Sequence, residues 1–208
     1  MSDIRLGMLI DLSRCVGCNA CAVACKQENS VPLGKFNTWI ESWDVVDGSG
    51  RVRRANLPRL CNHCTDAPCV DVCPTGASFH AEDGTVQIDP DKCIGCKYCM
   101  AACPDSMRWC DDETGIVGKC TFCHTRTANG MDPACVNTCI SSARIFGDLN
   151  DPDSEIAKRV AAGGDEVLLA ELNLRPHVSY RGLEETQAME VASAKHKGGN
   201  VYEPYEGR

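Results

Sequence analysis

Seventeen of the 208 residues are cysteines, and their spacing is the most informative feature of the sequence. One run, CIGCKYCMAACP at residues 93–104, fits the pattern C-x2-C-x2-C-x3-C-P without a mismatch. This spacing is typical of thiolate ligands to [4Fe–4S] clusters, in which three cysteines hold one cluster and the fourth reaches another. The run therefore predicts electron-transfer chemistry and requires a partner motif elsewhere in the chain.

Three further groups of four cysteines supply such partners. The first motif spans residues 15–25 and has Lys26 where a proline is expected, and the second spans residues 61–74 as C-x2-C-x4-C-x3-C-P. In the fourth motif, eleven residues separate Cys123 from Cys135. Bacterial two-cluster ferredoxins exchange the last cysteine between motifs, and the same exchange predicts four ligand sets here. Set A is Cys15, Cys18, Cys21 and Cys139; set B is Cys25, Cys120, Cys123 and Cys135; set C is Cys61, Cys64, Cys69 and Cys103; set D is Cys73, Cys93, Cys96 and Cys99.

The order of the motifs predicts an α+β fold made of two pseudo-repeated bacterial two-cluster ferredoxin-like modules, nested in sequence. The second and third motifs flank a hairpin pattern at residues 76–88, which is the ferredoxin arrangement. The first and fourth motifs enclose this unit. The expected domains are an outer module (1–29 with 105–150), an inserted hairpin arm (30–60), an inner module (61–104) and a C-terminal helix with a partner-binding tail (151–208).

Several local elements follow from apolar patterns and turn residues. The predicted strands are 5–12, 115–118, 143–147, 167–170 and 177–180, and a helix is predicted over 21–28. The insertion should form a hairpin with a turn at 47–50, serving either as a solvated surface hairpin or as a docking arm. Asp151 and Pro152 are the expected N-cap and first residue of a helix that Gly163 ends. From about residue 182 the tail is polar, and is expected to be disordered or laid across a partner.

Composition and charge exclude several classes of protein. The formal net charge of −8 disfavours nucleic acid as a partner, since an acidic chain repels phosphate backbones. No run reaches the 18 or so apolar residues that a membrane span needs, so no direct span is expected. The hydrophobic fraction of 43% includes the cysteines, and we expect metal–thiolate bonds to supplement a thin core.

Two other uses of cysteine remain as alternatives. A secreted disulfide framework is disfavoured because the N-terminus shows no signal peptide and because C-x2-C is metal-ligand spacing. A zinc-stabilised binding module needs only four thiolates in a tetrahedral array. Zinc gives no reason for the triple C-x2-C-x2-C, which occurs twice in this chain.

The residues beside the motifs are assigned supporting roles. Lys26 and Lys119 adjoin ligands and are predicted to offset cluster charge, the alternative being surface lysines. His63 and His124 should be neighbours of the sites or surface residues, and Cys110 an inert thiol outside every set. No nucleotide-binding motif or catalytic constellation is present, so the chain alone is not expected to be an enzyme.

Four segments together resemble the four-cluster subunit of molybdopterin oxidoreductases. They are IDLSRCVGCNACAVACK, LCNHCTDAPCVDVCPTGA, DKCIGCKYCMAACP and KCTFC…PACVNTC…FGDL. Small subunits of polysulfide, thiosulfate, tetrathionate, arsenate and dimethyl sulfoxide reductases are the most similar group. The resemblance covers about residues 4–150. Two departures from the family pattern are Asp105, where an aromatic residue is common, and Ile140, where a proline is expected.

The resemblance implies an electron relay between two partners. One is a large catalytic subunit holding a molybdenum or tungsten bis-pterin cofactor, and the other is a polytopic membrane subunit that exchanges electrons with quinol or quinone. It favours the periplasmic side of the cytoplasmic membrane, reached with a partner's twin-arginine signal, although the cytoplasmic side fits the sequence equally well. The iron–sulfur subunit of a soluble formate dehydrogenase, hydrogenase or hydroxylase-type complex is the alternative. The terminal substrate is not encoded in this chain.

Overall fold

The computed structural model describes residues 4–46 and 51–188, which form a mixture of short helices and short strands, as the α+β prediction requires. The strands are β1 (Leu6–Asp11), β2 (Thr38–Val46), β3 (Val52–Leu60), β4 (Ser78–His80), β5 (Val86–Ile88), β6 (Trp109–Cys110), β7 (Val117–Gly118), β8 (Arg144–Asp148), β9 (Asp165–Glu166) and β10 (Val178–Arg181). The helices are α1 (Ala20–Glu28), α2 (Pro68–Asp71), α3 (Tyr98–Ala101), α4 (His124–Thr127), α5 (Ala134–Asn137), α6 (Glu155–Ala161) and α7 (Leu183–Ala188). None of these helices in the described ranges combines the length and apolar character needed to cross a bilayer.

A four-stranded sheet in the order β8-β1-β10-β9 ties the two ends of the described chain together. Strand β1 pairs antiparallel with β8 and parallel with β10. Residues 6–10 of this strand form a continuous apolar run, as expected for a strand that is buried on both faces. Met8 and Ile10 enter the main core, whereas Leu9 faces the other way and joins a cluster with Ile156 of α6. The buried strand predicted at 5–12 is therefore confirmed.

The insertion is a hairpin, as predicted. Strands β2 and β3 pair antiparallel over nine residue pairs, and the predicted turn at 47–50 lies outside the described residues. The base of the hairpin is not a solvated surface, because Ile40 and Leu57 are buried in the same core as Met8. The docking role of the arm stays a prediction.

The three smaller predicted strand patterns near the motifs are also present. Strands β4 and β5 form the hairpin expected between the second and third motifs. Strand β8 matches the pattern at 143–147, and β7, which pairs with β6, matches the end of the pattern at 115–118. The helix predicted at 21–28 corresponds to α1.

The predicted start of the C-terminal helix is wrong. Helix α6 begins after Ser154, whose Oγ accepts a hydrogen bond from the Ala157 N–H at 3.1 Å, and Ser154 is therefore the N-cap. Asp151 instead closes the preceding turn, because its carboxylate accepts from the Asp153 N–H at 2.9 Å. The helix ends before Gly163, which has a φ of 76°, as predicted.

The predicted strand pairing after α6 is correct for only one partner. Strand β10 lies within the pattern at 177–180, but it pairs with β9 instead of residues 167–170. Left-handed backbone at Leu169 and Asn173, with φ values of 51° and 52°, brackets a short 3₁₀ turn there and breaks the extended conformation. Helix α7 occupies the start of the tail for which no helix was expected, and residues 189–208 lie outside the described part.

Candidate metal centres

Three cavities of similar size are each lined by four cysteines. Their volumes, taken as space not filled by atoms, are about 330, 380 and 330 Å³. Each lining takes three cysteines from one motif and the fourth from another. The linings contain Cys73, Cys93, Cys96 and Cys99; Cys61, Cys64, Cys69 and Cys103; and Cys15, Cys18, Cys21 and Cys139. The structure thus brings together the members of sets D, C and A.

The four cysteines of set B, Cys25, Cys120, Cys123 and Cys135, are all buried. The Asn29 side-chain amide lies 3.5 Å from the sulfur of Cys25 and 3.6 Å from that of Cys123, so one donor touches two motifs. Helix α1, which carries Cys25, packs against α5, which carries Cys135. Burial raises the pKa of Cys25 to about 12, and the nearby thiols Cys135 and Cys123 add to the shift. These contacts bring Cys25, Cys123 and Cys135 into one region.

The first and third motifs present the same backbone turn between their first two cysteines. Gly17 and Gly95 have φ values of 69° and 67°, a left-handed conformation that favours glycine. A Cβ atom on Gly17 would lie 2.5 Å from the Asn56 side-chain oxygen, and one on Gly95 would lie 2.7 Å from the Gly115 carbonyl oxygen. Both positions therefore need glycine for space as well as for conformation.

The second and fourth motifs place aromatic residues at the same loop position. His63 and Phe122 have φ values of 45° and 52°, and their rings stack with centroids 3.9 Å apart. His63 is fully buried, and its Nδ1 accepts a hydrogen bond from the Val86 N–H at 3.1 Å. Burial, with the positive charge of Lys119, holds the pKa of His63 well below its usual value. A neutral imidazole thus joins the two loops face to face.

Backbone N–H groups point at four of the sulfur atoms, at distances of 3.3 to 3.5 Å. The pairs are Ser78 with Cys73, Ala143 with Cys139, Met107 with Cys103, and Phe122 with Cys120. Burial opposes the ionisation of Cys73 and Cys139, but these hydrogen bonds outweigh it and lower the pKa of both thiols. The N–H donors therefore stabilise negative charge on these two sulfur atoms, whereas at Cys103 and Cys120 burial outweighs the hydrogen bond and raises the pKa of the thiol.

Arg108 is a buried cation that touches two of the cavities. It lines both the Cys73 and the Cys61 cavity, and its Nη2 donates to the sulfur of Cys69 at 2.9 Å and to Ser78 Oγ at 2.8 Å. Burial lowers the pKa of Arg108, but the thiolates of Cys69 and Cys99 outweigh this effect and raise it. Its Nη1 is buried without a hydrogen-bond partner, which fits an anionic group between the thiolates.

Arg144 is the second buried arginine beside the cysteines. It lines the Cys15 cavity, and its Nη1 lies 3.6 Å from the sulfur of Cys135, while its Nη2 donates to Thr38 Oγ1 at 2.9 Å. Burial opposes its charge, but the thiolates of Cys135 and Cys21 raise its pKa. Sequence reasoning missed both arginines, although each stands five residues after the last cysteine of a motif. That shared spacing was the available signal.

The two lysines singled out in the sequence occupy different environments. The buried ammonium of Lys119 donates to the Val86 carbonyl and, at 2.6 Å, to the Cys120 carbonyl. Burial lowers the pKa of Lys119, and the thiolate of Cys61 opposes this shift. Lys26 donates to two carbonyls of the loop before β2, both at 2.8 Å, and so orders that loop. The effect of either lysine on a cluster stays a prediction.

The remaining candidates lie apart from the cysteine-lined cavities. Cys110 is half-buried, and its thiol contacts the Gly115 carbonyl oxygen at 3.3 Å. The side chain of His124 is 52% exposed and lies 3.5 Å from Asp83. Within residues 4–46 and 51–188, no three His, Cys, Asp or Glu side chains converge closely enough to hold a single metal ion. Twelve of the cysteines instead line three cavities in groups of four.

The two departures from the family pattern differ in burial. Asp105 is buried, where it accepts hydrogen bonds from Arg59 at 3.1 Å and from Asn62 at 2.6 Å. Burial raises the pKa of Asp105, opposed by the positive charge of Arg59. Ile140 is 75% exposed and touches no cavity. Of the two, Asp105 is the one that faces a cysteine-lined cavity, that of Cys61.

Comparison with known protein families identifies the cofactor. Two family descriptions match, both of a 4Fe-4S dicluster domain, over residues 52–149 and residues 14–77. The matched regions together contain all four motifs. The four-thiol linings, the N–H donors to sulfur and the unpartnered Arg108 nitrogen all fit this cofactor. The chain carries [4Fe–4S] clusters in ferredoxin-like dicluster domains.

Full-length relatives have closely similar sequences. A tetrathionate reductase subunit of Salmonella typhimurium is 47% identical over 184 residues, covering 87% of this chain and 74% of the relative. The thiosulfate reductase electron transfer subunit PhsB of Salmonella typhi is 46% identical, with coverages of 74% and 80%. The arsenate respiratory reductase iron-sulfur subunit ArrB of Shewanella sp. is 36% identical, with coverages of 85% and 96%. The chain therefore belongs to the 4Fe–4S dicluster family that includes these reductase subunits.

Proposed function

We propose that this chain is an electron-transfer subunit that holds four [4Fe–4S] clusters within a respiratory reductase complex. The observation that carries the proposal is the convergence of cysteines from different motifs around three cavities of similar size, with the set B thiols gathered beside α1. A [4Fe–4S] cluster accepts and releases single electrons, at a potential set by surrounding charge, hydrogen bonds and solvent. The names of the relatives, among them an electron transfer subunit and an iron-sulfur subunit, support this role.

The proposed ligands are the four sets A, B, C and D. The cavity linings support sets A, C and D, and the contact of Asn29 with Cys25 and Cys123 supports set B. We further propose that sets C and D belong to an inner ferredoxin-like module and sets A and B to an outer one. The second proposal rests on the same exchange of cysteines between motifs.

Residues shared between the sets support a single row in the order A, B, C, D. Arg108 lines the cavities of both C and D. Lys119 connects the Cys120 carbonyl of set B with Val86, which lines the cavity of set C. Arg144 lines the cavity of set A and touches a sulfur of set B. In this row the two exposed cysteines, Cys18 and Cys96, stand at opposite ends, where electrons would enter and leave.

The chemistry of the complex would lie in its partners. Fully cysteine-ligated clusters leave no iron position open for a substrate, so this chain would perform no bond chemistry itself. We propose a large catalytic subunit with a molybdenum or tungsten bis-pterin cofactor at one end of the row. A polytopic, quinone-reactive membrane subunit would contact the other end. The periplasmic side of the cytoplasmic membrane is the proposed location, reached through a partner's twin-arginine signal.

Iron analysis of the anaerobically purified protein tests the cofactor count. About sixteen irons and a matching amount of labile sulfide per chain are expected from four cubanes. Cys73→Ser and Cys93→Ser should each abolish the same EPR signal, because both belong to set D. Cys110→Ser is the matched control and should keep every signal. Loss of different signals in the two set D variants would overturn the ligand assignment.

Purification of the complex from its host tests the partners. A large pterin-containing subunit and a membrane subunit should copurify with this chain in detergent. Oxidation of a quinol analogue by the complex should reduce the iron–sulfur signals. A soluble complex without a membrane subunit would overturn the quinone-linked part of the proposal and favour a formate dehydrogenase-, hydrogenase- or hydroxylase-type role.

A further inference from the structure

Arg108 and Arg144 occupy matched places in the two halves of the cysteine framework. Each follows the last cysteine of a motif by five residues, after Cys103 and after Cys139. Both side chains are buried, with 6% and 4% exposure. An arginine is almost never buried without a compensating anion, since removing its charge from water is costly. In both cases the neighbouring groups are cysteine sulfur atoms, which the proposed clusters would bind as thiolates.

The guanidinium of Arg108 lies between sets C and D. It donates to the sulfur of Cys69, a member of set C, and it lines the same cavity as Cys99, a member of set D. Ser78 accepts a hydrogen bond from the same nitrogen at 2.8 Å and fixes its direction. The second terminal nitrogen remains buried and unpartnered among the protein atoms. The side chain is thus positioned toward both sets at once.

The guanidinium of Arg144 has the corresponding place between sets A and B. It contacts the sulfur of Cys135, a member of set B, and lines the cavity of set A beside Cys21. Thr38 at the base of the hairpin anchors its other terminal nitrogen, as Ser78 anchors Arg108. In both modules the arginine therefore contacts the third cysteine of one motif and lines a cavity with the third cysteine of another.

We infer that Arg108 and Arg144 each supply one permanent positive charge that the two clusters of a module share. The inference rests on the ligand sets proposed above. A guanidinium stays protonated at every physiological pH, and a charge acts strongly where water is excluded. Because each arginine contacts a sulfur atom of one set and lines the cavity of the other, its charge favours an added electron at both sites.

Redox titration of the intact complex, followed by EPR, tests the inference. Arg108→Gln should weaken reduction at sets C and D by tenfold or more, which is about 59 mV for a one-electron couple, and leave sets A and B unchanged. Arg144→Gln should give the reverse pattern. Arg54→Gln is the matched control, because Arg54 is 65% exposed and pairs with Asp44 away from the cavities. This variant should change no potential.

The conservative variant separates charge from packing. Arg108→Lys keeps a positive charge but loses the forked donors. It should therefore shift the potentials of sets C and D less than Arg108→Gln does. If Arg108→Gln loses iron, Ser78→Ala replaces it in the test and should give a smaller shift at the same two sites. Equal shifts at all four sites, or none in a variant that retains its iron and sulfide, would overturn the inference.

The wild-type complex and two cysteine variants together distinguish failure of this inference from failure of the proposed function. Iron and sulfide contents of the wild-type complex, with the signals lost in Cys18→Ser and Cys96→Ser, establish whether sets A and D exist. If they do exist and the arginine variants leave the potentials unchanged, only the role of the arginines is overturned. If they do not, the ligand sets themselves are wrong.

Discussion

The first C-x2-C loop of each motif has a positive φ at its third residue, but the four loops occupy two opposite environments. The loops of the first and third motifs carry Gly17 and Gly95 at the left-handed position and expose Cys18 and Cys96. The loops of the second and fourth motifs carry His63 and Phe122 at that position, and these aromatic rings stack in the interior. Identical cysteine spacing therefore does not decide where a site lies in the molecule.

The residues between the cysteines decide whether a loop faces outward or inward. A non-glycine residue at positive φ costs on the order of 1–3 kcal/mol unless its surroundings hold it there. His63 and Phe122 are held by each other and by the core, where Phe146 also meets Phe122 edge-on at 5.3 Å. Glycine avoids this strain in the outward loops, where no such packing is available.

The largest expected effect comes from removing the inward stack. Phe122→Ala should lower the free energy of unfolding by about 3–5 kcal/mol, because a fully buried aromatic ring leaves a cavity. Ile94→Ala in an outward loop is the control and should change it by less than about 0.5 kcal/mol, since Ile94 is 68% exposed. Anaerobic guanidinium unfolding, followed by cluster absorbance, measures both. Equal losses in the two variants would remove the distinction between the loops.

Acid should destabilise the packing of His177 against the inward loop of the second motif. His177 donates its backbone N–H to the Asn62 carbonyl at 2.8 Å, and its ring contacts Thr65 Oγ1 at 3.0 Å. Burial, with the charge of Arg5, lowers the pKa of His177 to about 4. The unfolded chain has the ordinary histidine pKa, so between about pH 6.5 and pH 4 it binds a proton that the folded chain does not.

The unfolding free energy should therefore be flat above about pH 6.5 and fall as the pH decreases toward 4. The loss attributable to this histidine should reach about 3 kcal/mol at most. His177→Gln should be less stable at neutral pH but lose less stability on acidification. Unfolding curves at several pH values check this, and an unchanged slope in the variant would contradict the assignment.

Glycine substitution tests the outward loops. Gly95→Ala should cost about 1–3 kcal/mol, because its Cβ would meet the Gly115 carbonyl oxygen of the backbone at a position of positive φ. Gly17→Ala should cost less, since its obstacle is the Asn56 side chain, which can move. Thermal unfolding of the iron-loaded protein compares them. A larger loss at Gly17 would show that the hairpin holds Asn56 as rigidly as a backbone.

The smallest effect concerns the contact between the hairpin and an outward loop. Asn56→Ala should cost about 1 kcal/mol, because Asn56 Nδ2 donates to the Cys15 carbonyl at 3.2 Å. In the Asn56→Ala background, Gly17→Ala should become less costly, since the obstructing atom is gone. A double-mutant cycle measures this coupling. Strict additivity would mean that backbone strain alone sets the cost at Gly17.

Sequence patterns predicted the parts of the fold that depend on near neighbours. The strand at 5–12, helix α1 and both hairpins follow from short apolar periods and turn residues, and the family matches confirm the iron–sulfur cofactor. The helix start at Asp151 was wrong because two polar residues three positions apart could each cap the helix. The Asp151 carboxylate closes its own turn, and Ser154 caps the helix.

Apart from the exchange of cysteines between motifs, long-range contacts were not visible in the sequence. Arg108 and Arg144 look like ordinary surface cations until the chain folds them against cysteines of other motifs. The stack of His63 on Phe122 joins residues far apart in the chain, and no local pattern requires it. Sequence spacing alone thus gave the cysteines, but not the charges and rings between them.

The central sheet has a consequence for the order in which the protein is made. Strand β1 leads into the first cysteine motif, yet it pairs with β8 and β10, which are among the last three described strands to leave the ribosome. The cysteines of the Cys61 and Cys73 cavities all come from residues 61–103, whereas the cavity of Cys15 also needs Cys139. Contacts of such high sequence separation form slowly and late. Under the proposed ligand sets, sets A and B therefore cannot be completed before Cys139 and Cys135 have left the ribosome.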